Sequence, residues 1–168
     1  ENGRYVKDER FDTLDLPCRH EQVVFADFNN DGHTDIYITC YTYYETFDRA
    51  QVENEWQMDS PQAQNYLLIN NGNGVFDEKA DEYGVALRLN PRRLRVEGAQ
   101  AFDINDDGWL DIYTGSRLYI NHKGKFFKDN REYYGLPIMF DEGVNATDID
   151  NDGLIDLVLF RPIRGGPM

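Results

Sequence analysis

The stretch that decides the fold is VVFADFNNDGHTDIYIT at residues 23–39, in which two apolar runs flank an acidic turn. It recurs as AQAFDINDDGWLDIYTG at 99–115 and as GVNATDIDNDGLIDLVLF at 143–160. In each copy an Asp-Gly pair separates runs of β-branched and aromatic residues, a pattern that is typical of a β-hairpin. The sequence therefore predicts antiparallel hairpins over residues 21–40, 97–115 and 142–160.

A second unit alternates with these hairpins. It reads LLINNGNGVFDEKADEYGV at 67–85 and LYINHKGKFFKDNREYYGL at 118–136. Each copy has a strand-like run that ends in Asn, a Gly turn, a run that opens on Phe, and a polar stretch that closes on Gly and an aliphatic residue. The opening of the chain resembles the back half of this unit, with Gly3 in the place of Gly74 and Gly124.

The spacing of the two units sets a regular period. Gly124 lies 24 residues before Asp148 and 21 residues after Asp103, so the repeat is 45 residues long. Periods of this length, with several short strands in each, indicate propeller blades or a related β array. We expect residues 1–168 to be one all-β array of propeller-type blades, with about three repeats in an incomplete ring. The array carries an insertion at 41–64 and is expected to belong to a larger protein or assembly.

The acidic turns share a nine-residue pattern with Asp at positions 1, 5 and 9, Asp or Asn at position 3, and Gly at position 6. We call them loop 1 (27–35), loop 2 (103–111) and loop 3 (148–156). Calcium takes about 6–8 oxygen ligands. The glycine can adopt the positive φ that lets the side-chain oxygens converge, and position 7 can add its carbonyl. The predicted calcium ligands are Asp27, Asn29, Asp31, His33 and Asp35; Asp103, Asn105, Asp107, Trp109 and Asp111; and Asp148, Asp150, Asp152, Leu154 and Asp156.

Two other interpretations of the loops are open to test. An EF-hand begins in the same way but needs a Glu at position 12 on an exiting helix, where this chain has Ile38, Thr114 and Leu159 in strand-like runs. Alternatively, the loops are hairpin tips closed by Asx-turns without metal. That would suffice for one loop, but it does not explain three copies of the same crowded carboxylates. The pattern therefore favours three Ca²⁺ sites in β-hairpins.

These alternating units resemble the FG-GAP/VCBS repeats of integrin α-subunit propellers and of many secreted bacterial proteins. The resemblance rests on the Asp-rich loops, their flanking strands and the LYIN unit, and it covers nearly the whole chain outside residues 41–64. It implies a β-propeller blade fold with calcium in the hairpin between two strands of each blade. The ligands would be the Asp and Asn positions named above. The repeat is shorter than many blades of that family, and the FG-GAP signature is reduced to fragments such as Glu97-Gly98-Ala99.

Composition and motif content disfavour several classes of function. The formal net charge of −14 disfavours nucleic acids and anionic membranes as partners, since both attract a basic surface, but it suits the binding of cations. No apolar run approaches the ~18 residues of a membrane span. The two serines, Ser60 and Ser116, lie outside any G-x-S-x-G motif, and no other catalytic constellation is present. Cys18 and Cys40 could form one disulfide or remain two buried thiols.

Two features outside the repeat pattern are candidates for partner binding. The insertion carries Tyr43, Tyr44 and Trp56, and aromatic side chains on a loop can stack on sugars or anchor a protein. Arg92 and Arg93 belong to a basic island that could grip a carboxylate or a sulfated sugar. The alternative is that the aromatics pack the insertion onto the sheet and that the arginines form a solvated linker.

Together these observations predict a calcium-binding repeat module and not an enzyme. We expect an extracellular, periplasmic or cell-surface location and a role in adhesion, carbohydrate or protein binding, or surface assembly. The expected partner is another protein, the remaining repeats of the same protein, or a glycan. A non-catalytic accessory region of a secreted enzyme is the alternative.

Overall fold

A computed structural model of the chain describes residues 3–16, 19–41, 64–87, 98–115, 117–136 and 143–160. Within these ranges the chain is built from short β-strands, with one 3-10 helix (Glu9–Thr13) and a single helical turn, α1 (Ala80–Tyr83). No helix in the described ranges has the length and apolar character needed to span a membrane. The strands are β1 (Arg19–Ala26), β2 (Asp35–Tyr41), β3 (Tyr66–Asn70), β4 (Phe76–Glu78), β5 (Ala99–Phe102), β6 (Asp111–Thr114), β7 (Arg117–Asn121), β8 (Phe127–Asp129), β9 (Gly143–Thr147) and β10 (Asp156–Phe160).

The strands form three antiparallel sheets in chain order. Sheet 1 is β1-β2-β3-β4, sheet 2 is β5-β6-β7-β8, and sheet 3 is the pair β9-β10. The 45-residue repeat therefore corresponds to one four-stranded meander in each of the first two sheets. None of the three sheets closes on itself within the described residues. The prediction of an all-β chain is confirmed at this level.

The predicted hairpins are present in all three repeats. β1 pairs with β2 across loop 1, β5 with β6 across loop 2, and β9 with β10 across loop 3. Val24 lies opposite Tyr37, Gln100 opposite Tyr113, and Asn145 opposite Val158. Each loop thus leads into a strand, not into a helix, and the EF-hand interpretation is wrong.

Neighbouring sheets pack against each other through apolar side chains. Between sheets 1 and 2 the buried core includes Phe28, Tyr37, Leu67, Ile112 and Phe127. The Phe28 and Phe127 rings meet edge to face with their centroids 5.8 Å apart. Because Phe28 follows the first Asp of loop 1 and Phe127 belongs to β8, loop 1 is held against the next repeat.

The first strands of the three sheets lie side by side and are linked by glutamine side chains. Gln22 Oε1 accepts a hydrogen bond from Ala99 N at 2.9 Å, and Gln100 Oε1 accepts one from Ala146 N at 2.7 Å. Gly98 lies so close to Gly143 that an added Cβ would come within 3.1 Å of the Gly143 Cα. This contact leaves no room for a larger residue at position 98 without a backbone shift.

The predicted insertion connects two strands that pair directly. β2 ends at Tyr41, and β3 begins at Tyr66 opposite Ile38. Since β1 and β2 are joined by loop 1, the connection from β2 to β3 leaves sheet 1 at the end opposite that loop. In sheet 2 the same connection needs only residues 115–116. The candidate binding residues Tyr43, Tyr44, Trp56, Arg92 and Arg93 lie outside the described residues.

The cysteine alternatives are resolved in favour of a disulfide. Cys40 is disulfide-bonded and fully buried at the end of β2. The one other cysteine of the sequence is Cys18, which lies outside the described residues.

Candidate metal centres

Each acidic loop is closed by hydrogen bonds from its own backbone to its side chains. In loop 1, Asp27 accepts from the N–H groups of Asp31 and Gly32 at 3.1 and 2.8 Å. Asn29 Oδ1 also accepts from Asp31 N at 3.1 Å, and Asp31 Oδ1 accepts from His33 N at 2.9 Å. These bonds draw the side-chain oxygens of positions 1, 3 and 5 toward the same short run of N–H groups.

Loops 2 and 3 repeat this arrangement bond for bond. The position 1 carboxylate accepts from positions 5 and 6, position 3 accepts from position 5, and position 5 accepts from position 7. The bonds are Asp107 N and Gly108 N to Asp103 (3.2 and 2.7 Å), Asp107 N to Asn105 (3.2 Å), Trp109 N to Asp107 (3.0 Å), Asp152 N and Gly153 N to Asp148 (3.1 and 2.9 Å), Asp152 N to Asp150 (3.2 Å) and Leu154 N to Asp152 (2.8 Å).

The backbone of the loops turns at two positions. The predicted positive φ at position 6 is confirmed, with 86° at Gly32, 83° at Gly108 and 89° at Gly153. Position 4 is also left-handed, with φ of 54° at Asn30, 55° at Asp106 and 63° at Asn151. Asn and Asp tolerate this conformation better than other residues with a Cβ. The restriction of position 4 to Asn or Asp was the sequence signal for this second turn, and the prediction missed it.

The position 9 carboxylates have a structural role that the sequence did not reveal. Asp35 and Asp111 are fully buried in sheets 1 and 2. Each accepts one hydrogen bond from its own loop and one from the end of the third strand of its sheet. The donors are Phe28 N and Asn70 N to Asp35 (2.9 and 2.8 Å), and Ile104 N and Asn121 N to Asp111 (3.1 and 2.7 Å).

Asn70 and Asn121 are the residues that sequence reasoning passed over. Their side chains donate to the carbonyl at loop position 8: Asn70 Nδ2 to Thr34 at 3.1 Å, and Asn121 Nδ2 to Leu110 at 3.0 Å. Each asparagine therefore holds the C-terminal end of its loop twice, with its backbone N–H at position 9 and with its side-chain amide at position 8. The signal was present, since the first strand of the second unit ends in Asn in both copies, but nothing local connects that residue to the loop.

Loops 1 and 2 also touch each other. Asn121 Nδ2 donates to the Phe28 carbonyl at 2.8 Å, and Asn30 Nδ2 donates to the Gly108 carbonyl at 3.0 Å. Gly124 approaches loop 1 so closely that an added Cβ would lie 2.8 Å from Asn29 Cα. The two loops are therefore parts of one packed region.

Loop 3 brings three carboxylates together. Oxygens of Asp148, Asp150 and Asp156 all lie within 4.8 Å of one another. Two ligands on opposite sides of a calcium ion, each at about 2.4 Å, would be separated by about this distance. The donor set is chemically suited to Ca²⁺, which prefers hard oxygen ligands. The residues of loop 3 thus fit the predicted ion.

Loops 1 and 2 carry an amide where loop 3 carries its second carboxylate. Asn29 and Asn105 can offer their Oδ1 atoms, since amide oxygens are common calcium ligands. Their Nδ2 groups donate to the position 5 carboxylates, Asp31 at 2.9 Å and Asp107 at 3.1 Å. The chemistry of the donor set is preserved, with one negative charge fewer in each loop.

Without a cation, burial and repulsion by neighbouring carboxylates raise the pKa of the position 9 carboxyl groups of loops 1 and 2. Burial raises the pKa of Asp111 to about 6; Asp107 and Asp103 raise it further, while hydrogen bonds from the backbone of Asn121 and Ile104 oppose the rise. Burial likewise raises the pKa of Asp35. By contrast, the hydrogen bond from the His33 backbone lowers the pKa of Asp31. Ionisation of the buried position 9 carboxyl group is therefore costly in loops 1 and 2.

The raised pKa of Asp111 predicts how pH affects the stability of the calcium-free chain. The pKa of Asp111 is about 6 in the folded chain, above the ordinary value of 3.8. Between these two pH values the folded chain therefore binds more protons than the unfolded chain. Stability should therefore fall as pH rises from about 4 through 6. Replacing Asp111 by Asn removes this titration and should flatten the dependence. Urea unfolding in chelator across that range measures both slopes, and identical slopes would contradict the assignment.

Comparison with known proteins gives no family assignment. The chain matches no protein-family model, and no curated protein matches it significantly.

Proposed function

We propose that loops 1, 2 and 3 each bind one Ca²⁺ and that the chain is a calcium-stabilised repeat module. The observation that carries this proposal is the recurrence of one hydrogen-bonded frame in three loops, with the same positions holding carboxylate or amide oxygens. The carboxylate cluster at Asp148, Asp150 and Asp156 supports it independently of the hydrogen bonds. An Asx-turn without metal needs only one side-chain acceptor, whereas these loops gather several.

The side chains at positions 1, 3, 5 and 9 would hold the ion, and the carbonyl of position 7 would complete the set. Bound calcium supplies positive charge and a cross-link among these oxygens. Three ions would change the formal charge of the chain from −14 to −8. The loops would then stabilise each hairpin and, through the contact of loops 1 and 2, the packing of the first two repeats.

A role for the whole module can be proposed from these calcium-stabilised repeats. We propose that the sheets are propeller-type blades and that the module serves adhesion, protein or carbohydrate binding, or surface assembly, without catalysis of its own. The disulfide at Cys40 supports an extracellular, periplasmic or cell-surface location, because disulfides persist in oxidising compartments. Loops that interrupt a rigid repeat are common binding sites, so recognition is assigned to the insertion at 41–64.

Deleting residues 43–60 tests the assignment of recognition to the insertion. β2 and β3 pair through Ile36 and Leu68, outside the deleted segment, so the sheet should keep its register. We expect the melting temperature and its calcium dependence to change little, while binding to a protein or glycan partner weakens. A glycan array and calorimetric melting of both proteins provide the measurements.

A substitution variant serves as the matched control for the deletion. Replacing Tyr43, Tyr44 and Trp56 by Ala keeps the length of the insertion and removes its aromatic anchors. Loss of binding in both variants with an intact fold supports the assignment. Unchanged binding, or collapse of the fold on deletion, shows that the insertion is structural.

A further inference from the structure

The side chain of Asn121 joins loop 1 to loop 2. Its Nδ2 donates to the Phe28 carbonyl at position 2 of loop 1, at 2.8 Å, and to the Leu110 carbonyl at position 8 of loop 2, at 3.0 Å. Its backbone N–H donates to the position 9 carboxylate of loop 2, Asp111, at 2.7 Å. A single residue of β7 therefore holds both loops, although 93 residues separate it from Phe28 in the chain.

The amide group of Asn121 is fixed at both ends. Its Oδ1 accepts a hydrogen bond from Gly124 N at 2.8 Å, while its Nδ2 is held by the two loop carbonyls. The residue is 1% exposed, so water has little access to replace a lost partner. A displacement of the Phe28 carbonyl therefore strains an amide group that also holds the Leu110 carbonyl, because buried hydrogen bonds that share a group depend on one another.

Two further contacts join the loops. Asn30, at position 4 of loop 1, donates its Nδ2 to the Gly108 carbonyl at position 6 of loop 2, at 3.0 Å. Gly124 lies between the loops, since an added Cβ would come within 2.8 Å of both Asn29 Cα and the Trp109 ring. Asn29 and Trp109 occupy predicted ligand positions, 3 in loop 1 and 7 in loop 2. The contacts thus reach the parts of each loop that are assigned to the ion.

Loop 3 is not tied to loop 2 in this way. The residue of loop 2 that corresponds to Asn30 is Asp106, whose carboxylate has no N–H group to donate. Within the ranges that the structure describes, no hydrogen bond joins loop 2 to loop 3; sheets 2 and 3 are linked through their strands, by Gln100 and Ala146. Loop 3 is therefore a comparison site within the same chain.

We propose that Asn121 and Asn30 couple the calcium sites of loops 1 and 2, so that occupancy of one loop strengthens Ca²⁺ binding by the other, while loop 3 binds independently. This coupling rests on the proposed function, since it presupposes that the loops bind calcium. When the ligands of loop 1 are drawn together, the Phe28 carbonyl and Asn30 are held in place, and they in turn fix the Asn121 amide and the Gly108 carbonyl. Loop 2 then loses less conformational freedom on binding its own ion.

Electrostatics alone gives a coupling of the opposite sign. A cation in one loop cancels part of the negative charge that attracts a cation to the other loop, and this weakens the second binding event. Salt at about 0.15 M largely screens exposed charges that are more than about 8 Å apart, whereas it leaves buried hydrogen bonds intact. The sign of the coupling in physiological salt therefore separates the two effects, and we expect it to be positive.

Two-dimensional NMR of the full chain during a Ca²⁺ titration monitors each loop separately. The amide groups of Gly32, Gly108 and Gly153 each donate to the position 1 carboxylate of their own loop, at 2.8, 2.7 and 2.9 Å. The shift of each amide signal therefore reports the occupancy of one loop.

Emptying one loop at a time measures the coupling. Asp27→Ala, in loop 1, should weaken Ca²⁺ binding by loop 2 about fivefold or more, and Asp103→Ala, in loop 2, should weaken binding by loop 1 by the same factor, because coupling is reciprocal. Asp148→Ala, in loop 3, is the matched control and should change neither affinity.

Variants of the two asparagines test the link itself. Asn121→Ala should reduce the effect of Asp27→Ala on loop 2 to about twofold or less, as a double-mutant cycle measures. Its matched control is Asn70→Ala, which loses the corresponding bond to position 8 of loop 1 and should leave the coupling intact. Asn30→Gly removes an exposed donor at a φ that glycine readily adopts, so it tests the link without a buried truncation, and Asn151→Gly in loop 3 is its control.

The outcomes separate the coupling from calcium binding itself. If none of the three glycine amides shifts with Ca²⁺, the calcium sites and their coupling are both wrong. If all three shift but the affinity of loop 2 is unchanged or tighter in Asp27→Ala, calcium binding stands and the coupling is overturned. A coupling that survives in both Asn121→Ala and Asn30→Gly, or that Asp148→Ala reproduces, also overturns it, because the asparagines would then not be its carriers.

Discussion

Removal of calcium by a chelator is expected to lower the melting temperature of the chain by roughly 15 °C or more. Each ion that binds only the folded state contributes about 2.7 kcal/mol at a concentration of 100 Kd, and three ions act together. For a chain of this size each kcal/mol shifts the melting temperature by about 2–4 °C. The carboxylates of the loops, including the pair at Asp107 and Asp111, also repel one another once the ions are gone. Calorimetric melting with and without chelator measures the effect.

Added salt is the control for this experiment. Monovalent salt screens exposed carboxylates but cannot cross-link them, so it should restore only a small part of the lost stability. Restoration by excess Ca²⁺ but not by sodium chloride supports specific sites. An unchanged melting curve in chelator would contradict calcium binding by the loops.

The second large effect is expected from Asp111→Ala, which should lower the free energy of unfolding in chelator by about 2–4 kcal/mol. The Asp111 side chain is fully buried and accepts from Ile104 N and Asn121 N at 3.1 and 2.7 Å. Truncation leaves both N–H groups without their acceptor, at about 1–3 kcal/mol each, and relief of charge repulsion offsets part of this cost. Urea unfolding monitored by circular dichroism measures the loss.

Asp156→Ala is the matched comparison, because Asp156 occupies the same position in loop 3. Its side chain is only half-buried and, within the part of the chain that the structure describes, accepts one hydrogen bond, from Ile149 N at 3.0 Å. Water can replace that bond, so we expect a loss of about 1 kcal/mol or less. Equal losses at the two positions would show that the hydrogen bond from Asn121 does not hold loop 2 to β7.

The elements that the sequence predicted correctly are those with local causes. The Asp-Gly turns and their flanking apolar runs specified the three hairpins, and the positive φ of Gly108 follows from the need of a tight turn for a residue without a Cβ. The absence of a helix after each loop followed from the strand-like residues at position 12. These features depend on residues that are close together in the chain.

The features that the sequence did not reveal depend on register between distant segments. Asn70 is 35 residues from Asp35 in the chain, and its hydrogen bond forms only because β3 lies beside β2. Asn121 reaches Phe28 across 93 residues, because sheet 2 packs on sheet 1. The second turn of each loop is a local feature, and its signal in the sequence is the Asn or Asp at position 4.

A calorimetric calcium titration of the chelator-treated chain tests the central claim most directly. It should give three equivalents of Ca²⁺ per chain, and removal of the position 1 carboxylate by Asp27→Ala, Asp103→Ala or Asp148→Ala should remove one equivalent each. A titration without binding heat, or three equivalents that survive in all three variants, would contradict calcium binding by these loops.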